Sequence, residues 1–179
     1  MNTYTLQVGS VTRELPVIPI SDSLSIASFV ILGDTEIVCE AAPLLAEKLP
    51  SVDILVTAEA KGIPFVHELA KHMGMPRYIV ARKSVKAYMD EPLVSKVNSI
   101  TTQSEQVLCL DRSDAEWIKG KRVALIDDVI STGQSINALA ELVESAGAIV
   151  VCKAAILAEG DAAKRDDIIF LEELPLFER

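Results

Sequence analysis

Two adjacent carboxylates, Asp127 and Asp128, end a short apolar run and are followed by Ser131, Thr132, Gly133, Gln134 and Ser135. Small and hydroxyl-bearing residues let the backbone curl so that successive N–H groups point into one concavity. The start of a helix adds its partial positive charge there. Such a nest holds a phosphate without a lysine. Paired acids beside it repel each other unless sugar hydroxyls or a divalent cation spread or neutralise their charge. The residue types therefore point to a phosphorylated sugar carrying two free hydroxyls. A plain strand-to-helix turn with an Asp N-cap accounts for one of these acids, but not for two beside a Thr-Gly turn.

The elements around the acids have readable periods. Val123 to Ile126 is too brief for a helix and reads as a buried strand, while Ile136, Leu139, Ala140 and Val143 have helical spacing. Gly147 stands where a helix stops in a left-handed residue. Upstream, a helical pattern starts at Asp34 and Thr35 and runs to Lys48, with Pro43 expected to kink or interrupt it. Val52 to Val56 reads as a strand, followed by a helix with Pro64 in its first turn and then a strand from Tyr78 to Ala81. Ala148 to Leu157 and Ile168 to Leu171 are the later strands, with a turn at Ala158 to Asp161 between them. Strands alternating with helices imply a mostly parallel sheet with covered faces and a site at the strands' carboxyl ends.

Other stretches read less regularly. Tyr4 to Val8 and Leu15 to Ile20 are extended, and Pro16 and Pro19 favour edge strands or loops for the second. Ser21 to Ser25 is turn-like and Ile26 to Leu32 reads as a further strand. Tyr88 to Gln106 is polar and turn-rich, with Val94, Val97 and Ile100 able to pair as a hairpin. Val107 to Leu110 is expected to resume the sheet, and Asp111 to Lys121 to form a polar excursion carrying Trp117.

Asp127 to Ser135, reading DDVISTGQS, resembles the PRPP-binding motif of type I phosphoribosyltransferases. The resemblance runs from about Val52 to Val150 and is strongest to the adenine enzymes of that family. It implies an α/β fold of the type I kind, a central mostly parallel sheet with flanking helices, a flexible loop and a small hood. It assigns Asp127 and Asp128 to the ribose hydroxyls and to catalysis, and Ser131, Thr132, Gly133, Gln134 and Ser135 to the 5-phosphate. Glu59, Ala60, Lys61 and Gly62 resemble the pyrophosphate loop, with Ala60, Lys61 and Gly62 as the binding residues; members often hold a non-proline cis peptide there, expected here within Glu59 to Lys61. Lys61 and nearby N–H groups would supply charge and donors for the leaving diphosphate. Arg82, Lys83 and Lys86, the dense basic cluster of the chain, resemble a further anion-binding segment whose lysines reach a neighbouring subunit's site, implying a homodimer. Mg²⁺ would come with PRPP, with Asp127 or Asp128 as its protein contact.

By the same resemblance, residues 1–33 are the candidate hood and residues 87–106 the flexible loop of one 179-residue domain. The implied reaction moves the 5-phosphoribosyl group of PRPP to a purine base, with adenine favoured. A serine at position 131 disfavours the hypoxanthine-guanine class, which carries an acid there. Thr101 stands where the adenine enzymes' loop glutamate would be, with Glu105 nearby. Transfer to xanthine or another base is one alternative, a PRPP-binding regulator with little catalysis another, and a sugar-phosphate binder of a different α/β family a third.

Composition narrows the partners. With 17 basic against 26 acidic residues and a net charge of −9, the chain lacks the basic stripes that nucleic acid needs. No apolar run approaches the length of a membrane span. Cys39, Cys109 and Cys152 are expected to be buried reduced thiols, and a cytoplasmic location fits them. His67 and His72 do not form a helical ligand pair and read as structural or surface residues.

Overall fold

The computed structural model describes residues 2–97 and 106–178. Its centre is a five-stranded parallel sheet. In chain order the strands are β4 (Ile54–Ala58), β5 (Ile79–Ala81), β8 (Arg122–Ile130), β9 (Ile149–Glu159) and β10 (Ile169–Leu174). They lie in the order β10-β9-β8-β4-β5, and every neighbouring pair is parallel. Strands buried on both faces should read as near-continuous apolar runs. Ile54 to Val56 and Val123 to Ile126 are buried accordingly.

Four helices supply the cover: α1 (Thr35–Lys48), α2 (Gly62–His72), α3 (Arg112–Ile118) and α4 (Gln134–Ser145). α1 and α2 pack on one side of the sheet through Ile37, Ala41, Leu45, Phe65 and Leu69. α4 covers the other side through Ile136, Leu139, Leu142 and Val143, with Ile118 of α3. Gly147 has φ of +86° and ends α4 in the left-handed conformation that its lack of a Cβ permits.

A second sheet joins the two ends of the chain. It has the order β1 (Thr3–Val8), β2 (Val11–Pro19), β3 (Leu24–Ala27) and β11 (Leu176–Glu178). Arg13 of β2 grips Asp34 with two nitrogens at 2.8 and 2.9 Å, and Asp34 itself caps α1 by accepting the Ile37 N–H. That clamp fixes the second sheet to the helix layer.

Several expectations change. β2 is an inner strand despite its prolines, because it changes partner at Pro16: residues 11–16 pair with β1 and 17–19 with β3. The missing N–H falls at the handover, while the Pro16 carbonyl accepts the Ser28 N–H at 2.9 Å. β3 occupies Leu24–Ala27, so the stretch read as strand beyond it is not one. α1 runs uninterrupted through Pro43. The single hydrogen bond lost there frees the carbonyl of Cys39, which sits on an exposed face where water can serve it. Cys39 is thus exposed and Cys152 half-buried; Cys109 alone of the three is buried as expected. The polar excursion contains α3, and Trp117 lies between the cations of Arg77 and Lys121, at 4.2 and 4.5 Å.

The hairpin forms from β6 (Leu93–Val97) and β7 (Gln106–Leu110). β7 does not resume the central sheet; it meets it through one antiparallel bridge between Cys109 and Arg82. Ile100, Thr101 and Glu105 lie outside the described residues. Among the described residues no helix is long and apolar enough to cross a membrane.

Candidate active site

Asp127 and Asp128 come near the carboxyl end of β8, where the chain leaves the sheet for α4. Residues 131–133 form the bend, and Gln134 and Ser135 open the helix. Gly133, at the N-cap, has φ of +82° and offers no side-chain cap. The amides of a helix's first turn have no partners inside the helix. Gln134 N–H finds only the Thr132 hydroxyl, at a long 3.4 Å. Asp127, Ser131, Thr132, Gly133 and Ser135 bound a small cavity of about 30 Å³ beside these donors. The structure therefore brings the acids and the five loop residues to one place, as their spacing suggested.

The acids themselves differ. Asp128 is 3 % exposed, and its Oδ2 accepts no hydrogen bond. The Lys61 ammonium stands 3.3 Å from that oxygen, an ion contact without hydrogen-bond geometry. Asp127 Oδ1 accepts the Asp128 N–H at 2.8 Å. Burial pushes the Asp127 carboxyl up to about 7, aided by the hydrogen-bonding contact and charge of Asp128 and opposed by the Asp128 N–H and Lys61.

A raised folded pKa means that the native state keeps a proton the unfolded chain releases near pH 4. The stability this contributes is full below about pH 4 and is lost as pH rises through about 7. Asp127→Asn, which keeps the neutral shape, is expected to raise the melting temperature at pH 8 and flatten the decline between pH 4 and 8. The gain should be on the order of 2 kcal/mol. Calorimetric scans across that range check it, and parallel curves for the two proteins would refute the cause.

Lys61 arrives by an independent route. β4 ends at Ala58, the Glu59–Ala60 peptide is cis, and α2 starts at Gly62. The cis bond falls within the expected stretch. A Cβ on Gly62 would lie 2.3 Å from Thr57 Oγ1 and 3.6 Å from Asp127 Oδ1, so only glycine lets α2 start this close to the acids. Ala60 and the Lys61 side chain are exposed beside them.

The basic cluster is tied to the same loop by Glu59. Its Oε1 accepts the Lys83 N–H at 2.6 Å and its Oε2 accepts Arg82 Nε at 3.0 Å. The Lys83 N–H, and then Arg82, hold the Glu59 carboxyl below the usual carboxylate range. Arg82 Nη1 also donates to the Tyr88 hydroxyl at 2.7 Å. Arg82 is thus a bracket between two neighbouring strand ends, whereas the Lys83 side chain is exposed and Lys86 donates to the Ser84 hydroxyl.

Two further roles at the site carry no local sequence signal. Glu59 lies in the expected loop, but its hold on Arg82 and Lys83 appears only when β4 and β5 are paired. Arg165 follows a short 3-10 turn (Gly160–Lys164), and its guanidinium backs Gly133: an added Cβ there would lie 2.3 Å from Arg165 Nη1. Asp167 fixes it with two hydrogen bonds of 2.7 Å.

The fold that carries this geometry is shared with known proteins. The phosphoribosyl transferase domain family matches residues 36–174. A hypoxanthine/guanine phosphoribosyltransferase of Methanotorris igneus is 31 % identical over 82 % of this chain and 73 % of its own length. An adenine phosphoribosyltransferase of Mesomycoplasma hyopneumoniae is 32 % identical over 73 % of this chain and 64 % of its own. The solved adenine phosphoribosyltransferase of Thermoanaerobacter pseudethanolicus superimposes with a TM-score of 0.71 at 24 % identity, covering 89 % of this chain and 95 % of that one. Relatives named for hypoxanthine/guanine, adenine and xanthine all match, so the comparisons do not separate the base classes. With the motif, the sheet order and the matched span in agreement, this chain belongs to the phosphoribosyl transferase domain family and has its type I fold.

Proposed function

We propose that the protein transfers the 5-phosphoribosyl group of PRPP to a purine base, adenine first among them, releasing pyrophosphate in purine salvage. The bond from the sugar's anomeric carbon to the diphosphate oxygen breaks, a bond to a base nitrogen forms, and that nitrogen gives up its proton. The observation that carries this reading is the Lys61–Asp128 contact of 3.3 Å beside the uncapped start of α4. It sets a cation for the diphosphate next to a pair of acids and the open first-turn amides of a helix.

In this reading the amides and hydroxyls of residues 131–135 hold the 5-phosphate, and Asp127 and Asp128 orient the ribose hydroxyls. Lys61, with the amides around Ala60 and Gly62, takes the pyrophosphate; Lys83 and Lys86 add charge at its outer end, and Arg82 positions that segment. Most of the acceleration comes from positioning and from charge placed where it develops. Mg²⁺ fits this donor set: Asp128 Oδ2 is a buried acceptor without a hydrogen bond, and among the described residues no cluster of three or more ligating side chains could hold a metal alone. Asp127 or Asp128 would be the ion's protein contact, and it would supply neutralisation of charge on the diphosphate. The second sheet is the hood over the base, built from β11 as well as residues 1–33. Exposed Val85 and Tyr88 beside the basic cluster favour a homodimer across that face.

Incubation with PRPP, Mg²⁺ and adenine, hypoxanthine, guanine or xanthine tests the reading, with pyrophosphate and nucleotide followed together. Turnover with at least one base is expected. PRPP binding in calorimetry with no nucleotide from any base would convert the protein into a PRPP-binding regulator, and no PRPP binding would end the proposal.

A further inference from the structure

We propose that Glu159 is the carboxylate that accepts a hydrogen bond from the N–H edge of the acceptor base, a specificity-determining contact that rests on the transfer reaction above. Glu159 ends β9, one residue past Ala158, which pairs with Ile130 at the end of β8. Its lateral partner in β10, Leu174, lies with Leu157 in the core shared by α2 and the second sheet, and paired residues of neighbouring strands face the same way. Lys61, at the start of α2, reaches Asp128 on that same side.

The second sheet arrives at this point. A Cβ added to Gly160 would lie 2.6 Å from Leu176 Cδ1, so β11 rests directly on the turn that follows Glu159. A group joined to the anomeric carbon of a ribose held by Asp127 and Asp128, and covered by the second sheet, must sit between these elements.

Glu159 is half-buried, and its carboxylate makes no hydrogen bond or ion pair among the described residues. Burial raises its pKa, and the charge of Lys61 opposes that rise. One exposed ammonium thus serves both Asp128 and Glu159. Once Lys61 turns to a pyrophosphate, the Glu159 carboxylate is left without a cation and with a desolvation cost that only donors offset. Purine edges carry such donors in ring N–H and exocyclic amino groups. A carboxylate accepts from either and repels a carbonyl oxygen, so a half-buried one favours the base and orientation that turn a donor towards it.

Glu159→Gln and Glu159→Ala test the assignment, with thermal unfolding, calorimetric binding of PRPP with Mg²⁺, and steady-state kinetics on adenine, hypoxanthine, guanine and xanthine. PRPP affinity should stay within about twofold of the parent. KM for the base that the parent turns over best should rise roughly ten- to hundredfold, the span of a charge-assisted hydrogen bond, and the adenine-to-hypoxanthine preference should shift by a similar factor. Base constants within about twofold of the parent in Glu159→Gln, with PRPP binding intact, overturn the assignment. The glutamine variant, nearly isosteric, decides the matter if the alanine variant does not fold. A parent protein that binds no PRPP overturns the underlying reading instead.

Discussion

Asp128→Asn leaves the protein at least as stable as the parent and lowers kcat/KM for PRPP by about a hundredfold or more. Both halves come from one atom. Asp128 Oδ2 is buried without a hydrogen bond, a state that costs on the order of 1–3 kcal/mol. The same carboxylate helps to raise the neighbouring Asp127 carboxyl. An amide keeps the shape and removes the repulsion and the buried charge, which outweighs the lost contact with the half-exposed Lys61, so melting should move up or stay. It also removes an acceptor and a negative charge that the proposed reaction assigns to ribose hydroxyls and Mg²⁺. Loss of one preorganised electrostatic contact of this kind typically costs 10² to 10³ in turnover, roughly 3–4 kcal/mol. Calorimetric melting and initial rates at limiting PRPP measure the two effects. A clear drop in melting temperature, or unchanged kcat/KM, would remove Asp128 from the ribose role.

Gly133→Ala is expected to lose about 1–3 kcal/mol of stability and most of the affinity for PRPP. A left-handed φ of +82° costs an alanine about 1 kcal/mol. Beyond that, the new Cβ would meet Arg165 Nη1 at 2.3 Å, and Arg165 cannot easily retreat because Asp167 holds it by two bonds of 2.7 Å. Either the loop or the ion pair must shift, and the loop carries the amides proposed for the 5-phosphate. Arg165→Ala separates the two causes. In that background Gly133→Ala should cost only its backbone strain, giving a coupling energy of at least about 0.5 kcal/mol in a double-mutant cycle. Strict additivity would mean that Arg165 does not constrain the loop.

How much of this was legible before folding depends on distance along the chain. The Asp127–Ser135 motif, the strand before it and the helix after it are all contiguous, and their periods and turn residues show in any one window. The alternation of strands and helices also implied the parallel sheet. The prolines misled for the complementary reason. Whether Pro16 weakens a strand depends on which neighbour lies opposite it, and β2 changes neighbour at that residue. Whether Pro43 breaks α1 depends on whether its freed carbonyl faces water.

The sequence by itself determined that a hydroxyl-rich turn and a helix start follow two acids at the end of a buried strand, because those residue types act within a few positions of one another. Only the tertiary structure decided what meets them. Lys61 reaches Asp128 because β4 and β8 are adjacent, and Glu59 brackets Arg82 because β4 and β5 are. Arg165 backs Gly133, and β11 closes over Gly160, for the same kind of reason. A lone Glu or Arg in a loop has no period and no local partner. Its role appears only when sheet order sets its distance to a group far away in the chain.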